Sequence, residues 1–160
     1  MAYLMCERGR ITATNSKDAV IKAHSLGSSL AVCLMDKKNS VCAIGIAILP
    51  GATTDDEINS NFPMLHASNG IGLLYKKWSE LGGERSNLEV YLVGSAQFIK
   101  EPAELANGTL VYKGVRKMLN KNKISLAGEH VGGPINRTLI ADNKDGQIKV
   151  LWGLERETIL

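Results

Sequence analysis

Three histidines and three cysteines are the side chains of this sequence best suited to chemistry. Metal binding is tested first. His24, His66 and His130 have no ligand partner at the two- to four-residue spacings that metal sites show, so no metal is expected. Cys6, Cys33 and Cys42 form no Cys-x-x-Cys pair, and an odd number at wide spacing makes no disulfide framework. The segment His24-Ser25-Leu26-Gly27-Ser28-Ser29 has one glycine and no following Gly-Lys-Ser, so it does not cradle a phosphate, and no cofactor is expected.

These residues depend on elements that the hydrophobic pattern predicts. Alternating and continuous apolar runs place strands over 11–14, 20–23, 29–35 and 41–49. The polar tetrapeptide Asp36-Lys37-Lys38-Asn39 reads as the loop of an antiparallel hairpin with Met35 opposite Ser40. That register sets Cys33 across from Cys42, Ala31 from Ile44 and Ser29 from Ile46. Cys33 and Cys42 then read as two buried small apolar side chains, or as a disulfide if the pair has the right geometry. A polar loop is expected over 51–63, a helix over 66–81 ended by Gly82-Gly83, and a strand over 88–93. A second helix over 109–120 and short strands over 124–130, 138–142 and 147–152 complete the chain, the last two joined through Asp145-Gly146. This order predicts a single α+β domain over 1–160, a layered sandwich of largely antiparallel sheet with packed helices.

Composition narrows the function classes. The 160 residues are 44% hydrophobic, enough for one packed core, and 19 Lys+Arg against 16 Asp+Glu leave only +3 at pH 7. Eight aromatic side chains, with only Tyr112 beside the lysine-rich segment 113–123, give no base-stacking platform, so nucleic acid is disfavoured. That segment reads as a solvated helix face or as a docking surface for an acidic partner. The longest apolar stretch, Val41 to Leu49, is too short to span a bilayer, so no membrane insertion is expected. The opening residues carry Cys6, Glu7, Arg8 and Arg10 where an export signal would need an apolar core, which with the cysteine usage predicts a cytoplasmic protein.

The string Leu26-Gly27-Ser28-Ser29-Leu30-Ala31-Val32-Cys33-Leu34-Met35-Asp36 resembles the nucleophile segment of the CheD family, the chemoreceptor glutamine deamidases of bacterial and archaeal chemotaxis. Further likenesses follow in the family's order. Ala43-Ile44-Gly45-Ile46-Ala47-Ile48-Leu49-Pro50 resembles its second strand, Asn87-Leu88-Glu89-Val90 the strand after its first helix, and Val93-Gly94-Ser95-Ala96-Gln97-Phe98 its Gly-Gly-Ala-x-x-Phe strand end. Ala127-Gly128-Glu129-His130-Val131-Gly132-Gly133 with Asn136-Arg137 resembles its Glu-Asp-x-Gly-Gly block and closing hairpin.

The resemblance implies a catalytic Cys, His and Thr at positions that here hold Ser29, Ile46 and Ala23. A thiol is ionised by a neighbouring imidazole; a serine hydroxyl facing isoleucine has neither an acidic proton nor a base to receive it. The implied protein is therefore a non-catalytic relative, a signalling module that binds a chemoreceptor helix or a CheC-like phosphatase through Ser28, Ser29, Gly94, Ser95, Gly132, Gly133 and Arg137. The other reading is an active deamidase that uses Ser29 or a relocated Cys–His pair, with His24, five residues before Ser29, able to approach Ser29 or Cys42 if the strand over 20–23 runs beside the hairpin.

Overall fold

The computed structural model describes residues 1–51, 61–98, 102 and 106–160, and there the chain forms ten strands and two helices. In order these are β1 (Ala2–Met5), β2 (Ile11–Thr14), β3 (Ala19–Ala23), β4 (Leu30–Asp36), β5 (Val41–Ala47), α1 (Ala67–Glu80) and β6 (Leu88–Gly94). Then follow α2 (Asn107–Lys121), β7 (Leu126–Val131), β8 (Arg137–Asp142), β9 (Gln147–Trp152) and β10 (Arg156–Ile159). The class is α+β, as the pattern predicts. Most of the polar loop expected over 51–63 lies outside the described residues.

The strands divide between two sheets, ordered β1-β3-β8-β9-β10 and β2-β5-β4-β6-β7. Each is antiparallel except at one end, where β1 runs parallel to β3 and β7 parallel to β6. The reason for two sheets lies in β4 and β5, whose fourteen residues are all buried and so need cover on both faces. Ala31, Cys33, Met35, Ile44 and Ile46 pack against Ile21, Leu139, Ile148 and Val150 of the first sheet. On the other face Leu30, Val32, Leu34 and Ala43 pack against Leu74 and Trp78 of α1 and Val111, Val115 and Leu119 of α2. The helices thus cover only the second sheet. Close approach of α1 to β5 depends on two glycines: Met64, fully buried, lies between Gly45 and Gly70, where a Cβ would come within 2.9 Å of its atoms. Gly70, which weakens a helix by propensity, is kept by packing.

The hairpin differs from expectation by two residues. Asp36 pairs with Val41, Cys33 with Ile44 and Ala31 with Ile46, and the loop is Lys37 to Ser40. Asp36 causes the shift. Its enclosed carboxylate accepts hydrogen bonds from Asn39 N (2.9 Å), Asn39 Nδ2 (2.8 Å), Glu84 N (3.0 Å) and Asn87 Nδ2 (3.3 Å), while Ser40 takes φ +53 to close the turn. Burial alone would raise the Asp36 pKa, yet these donors outweigh it and hold the carboxyl below its ordinary range. A two-residue slip preserves which face each side chain occupies, so Cys33 and Cys42 still meet, now diagonally, with free sulfurs 3.9 Å apart. Two edge strands escape the pattern: β1 and β10 are largely exposed and lack alternation.

Candidate functional site

At the end of the second sheet where β4 begins and β6 ends, three segments are tied together by backbone hydrogen bonds. Gly27 turns the chain at φ +50, and Ser29 N closes that turn on Leu26 O at 2.9 Å. Ser95 N donates to Ser29 O and Ala96 N to Gly27 O, each at 2.9 Å. The second connection runs from Gly132 N to Gly94 O (3.0 Å) and from Gln97 N to Gly133 O (2.9 Å). Gly94 is required here: its φ is +126, and a Cβ would collide with Ser29 O.

Arg137 braces this lattice from the opposite sheet. Only 3% exposed, its guanidinium donates to Gly94 O (3.1 Å), Ile135 O (3.3 Å), Gly132 O (2.6 Å) and His130 Nδ1 (2.7 Å). The neighbouring Asn136 Oδ1 accepts from Gly27 N and Arg137 N, each at 3.1 Å. Arg137 is therefore spent on backbone carbonyls. Because His130 Nδ1 accepts that bond, its imidazole is held neutral, and burial together with the Arg137 charge lowers its pKa. Its ring stacks at 5.1 Å on Trp152, and the two line a cavity of about 490 Å³ with Gly132, Gly133 and Ile135.

The sequence-predicted residues fall into two sets. Ser28 and Gly133 are exposed and Gly132 half-buried at the rim, whereas Ser29, Gly94, Ser95 and Arg137 are buried beneath it. Ser28 also lines a cavity of about 360 Å³ with Gln97, the exposed Phe98 and Asn107 at the start of α2. The contributions of Asn136, His130 and Trp152 escape sequence reasoning. Asn136 and His130 lie inside motifs that the resemblance quotes, but nothing in their spacing shows that one caps the Gly27 turn and the other accepts from Arg137.

Ile46 and Ala23, both fully buried, join one hydrocarbon cluster with Leu26, Ala31 and Val93. The expected pairing of Ser29 with Ile46 is corrected, because Ile46 faces Ala31 and Ser29 stands diagonal to it. At such an offset Cα atoms are roughly 7–8 Å apart. His24 is not placed to act as a base for Ser29. Its strand β3 belongs to the other sheet rather than running beside the hairpin, and His24 is exposed. His66 is bonded through Nδ1 to Gly51 O near the start of α1, and His130 lies two strands from Ser29, roughly 10 Å at the ordinary strand spacing. Proton transfer needs about 3 Å. The thiols are equally unsuited. Burial pushes the Cys6 pKa up to about 11, and its Sγ is 3.3 Å from Ile44 O; Cys33 is raised by its contact with Cys42 and by complete burial. Among the described residues no cluster of metal-ligating side chains occurs, and no helix is long and apolar enough to cross a membrane.

A family profile described as CheD chemotactic sensory transduction matches residues 48–151. The chain belongs to the CheD family. Among curated CheD proteins it is 28% identical over 137 residues to one from Syntrophus aciditrophicus, covering 86% of each chain. It is 29% identical over 131 residues to one from Clostridium botulinum, covering 80% of each, and 28% identical over 135 residues to one from Methanococcus maripaludis, covering 84% of this chain and 86% of that one. Each of the three is named "Probable chemoreceptor glutamine deamidase". The CheD profile begins two residues beyond Ile46, so the hairpin bearing Ser29 and Ile46 lies outside the matched span.

Proposed function

We propose that this CheD-family chain is a catalytically inactive, cytoplasmic chemotaxis module that binds a chemoreceptor helix or a CheC-like phosphatase without deamidating it. The observation that carries the reading is the pair of fully buried hydrocarbons, Ile46 and Ala23, where the resemblance calls for a base and a hydroxyl. Ser29 remains, 5% exposed, while the imidazoles of His66 and His130 are bonded to Gly51 O and Arg137 instead. Amide hydrolysis by an unassisted alcohol lacks both the nucleophile and the proton acceptor that act as a unit, a loss typically worth several powers of ten.

What survives is the lattice that shapes the surface. Ser29, Gly94, Ser95 and Arg137 hold the backbone from below, and Ser28, Gly132 and Gly133 present it to a partner. A scaffold that keeps its architecture without its reaction is suited to binding. The test incubates the protein with the cytoplasmic fragment of a chemoreceptor and, separately, with a CheC-like phosphatase. The expected result is a complex with one of them and no Gln-to-Glu mass gain on the receptor. A mass gain abolished by Ser29→Ala would overturn the proposal; failure to bind either partner would overturn the binding half alone.

A further inference from the structure

On the opposite side of the second sheet, α1 and α2 do not close fully on one another. Between them lies a cavity of about 250 Å³ lined mainly by Ile71, Tyr75, Leu88, Met118, Leu119 and Ile124. The one charged residue on its wall is Arg85, whose Nη2 donates to Asn122 O at 2.7 Å.

The rim is cationic. Lys121 lies one turn beyond Met118 and Lys117 one turn before Lys121, so the two exposed lysines form a pair on the solvent side of α2, next to Met118. From Asn107 to Lys123 the chain holds Lys113, Arg116, Lys117, Lys121 and Lys123 and not one carboxylate. The one carboxylate of α1, Glu80, belongs to another hollow, with Leu73 and Lys77. Among the described residues the ion pairs are Arg10–Glu7, Lys37–Glu89 and Lys149–Glu157, so Lys117 and Lys121 take part in none, while Glu129 meets α2 through Tyr112.

We infer that this groove docks an acidic amphipathic helix of a partner protein, whose bulky apolar residues enter between Tyr75 and Met118 while its carboxylates meet Lys117, Lys121 and Arg85. Charge complementarity selects this occupant. A basic helix would bring like charges together, and a second copy of this chain would oppose the same lysine-edged groove to itself. The groove lies on the helix-covered face, away from Ser29 and Ile46, so the inference stands whether or not the chain turns over glutamine.

The probe is a synthetic helix with leucine at three- and four-residue intervals and glutamate between, with a version bearing lysine for every glutamate as control. Each is titrated into the whole chain carrying isotope-labelled methionine methyls. Met118 is expected to shift saturably with the glutamate peptide only, while Met1 and Met5 on the other sheet stay still. Lys117→Glu with Lys121→Glu should weaken binding about tenfold, and so should raising the ionic strength from about 0.05 M to about 0.5 M. Both lysines are exposed, and unchanged Met35 and Met64 signals would confirm that the variant folds. An unmoved Met118, an equal response to the lysine peptide, indifference to the charge reversal, or a concentration-dependent Met118 shift without peptide would each overturn the inference.

Discussion

The two ends of the β4–β5 hairpin are both buried, yet a carboxylate lies at one and an isoleucine at the other. At the turn end Asp36 keeps a charge in the interior because four donors converge on it. At the other end Ile46, with Ala23 of β3 in the same cluster, is enclosed in hydrocarbon. The difference teaches when a buried polar group persists. A fully satisfied carboxylate holds the fold together, whereas a catalytic base must keep a lone pair free and so costs stability unless it is used.

Breaking the turn end should have the largest effect. Asp36→Ala leaves the Glu84 amide and two asparagine side chains without their acceptor. It should cost about 3 kcal/mol in urea unfolding, against near-neutrality for Lys38→Ala on the exposed loop. Reintroducing polarity at the other end is expected to cost less. Ile46→His inserts an imidazole among Ala23, Leu26 and Ala31 and should destabilise by about 2 kcal/mol, without generating activity unless Ser29→Cys accompanies it. A cost near zero would mean that a polar partner is already available there.

The smallest effect concerns a half-buried polar group, His130. Its pKa is depressed in the folded chain, so the folded state binds fewer protons than the unfolded state below about pH 6.5. Its contribution is therefore complete above that pH and is lost as pH falls through the lowered value. Chemical denaturation at stepped pH should show this decline, and His130→Phe should flatten it in that window.

Much of this was legible before the structure. The strands around Cys33, Ile44 and Val90 and both amphipathic helices follow from apolar spacing alone. The hairpin register did not, because the polar loop is compatible with closure at Met35–Ser40 or at Asp36–Val41, and the choice depends on Glu84 and Asn87 reaching Asp36 from about fifty residues away. β1 and β10 were invisible since edge strands such as Arg156–Ile159 carry exposed polar residues that no period distinguishes from coil. At the site, the hydrocarbon side chains at 23 and 46 and the hydroxyl at 29 are read directly from the sequence. That Arg137 is a brace rather than a presented side chain was hidden, because burial between two sheets follows from topology rather than from local pattern.

The most direct test of the account is ammonia release from a glutamine-bearing chemoreceptor fragment, measured for the unmodified chain beside its Ser29→Ala variant. The account predicts that both match the buffer control. Release by the unmodified chain that disappears with the Ser29 hydroxyl would contradict it.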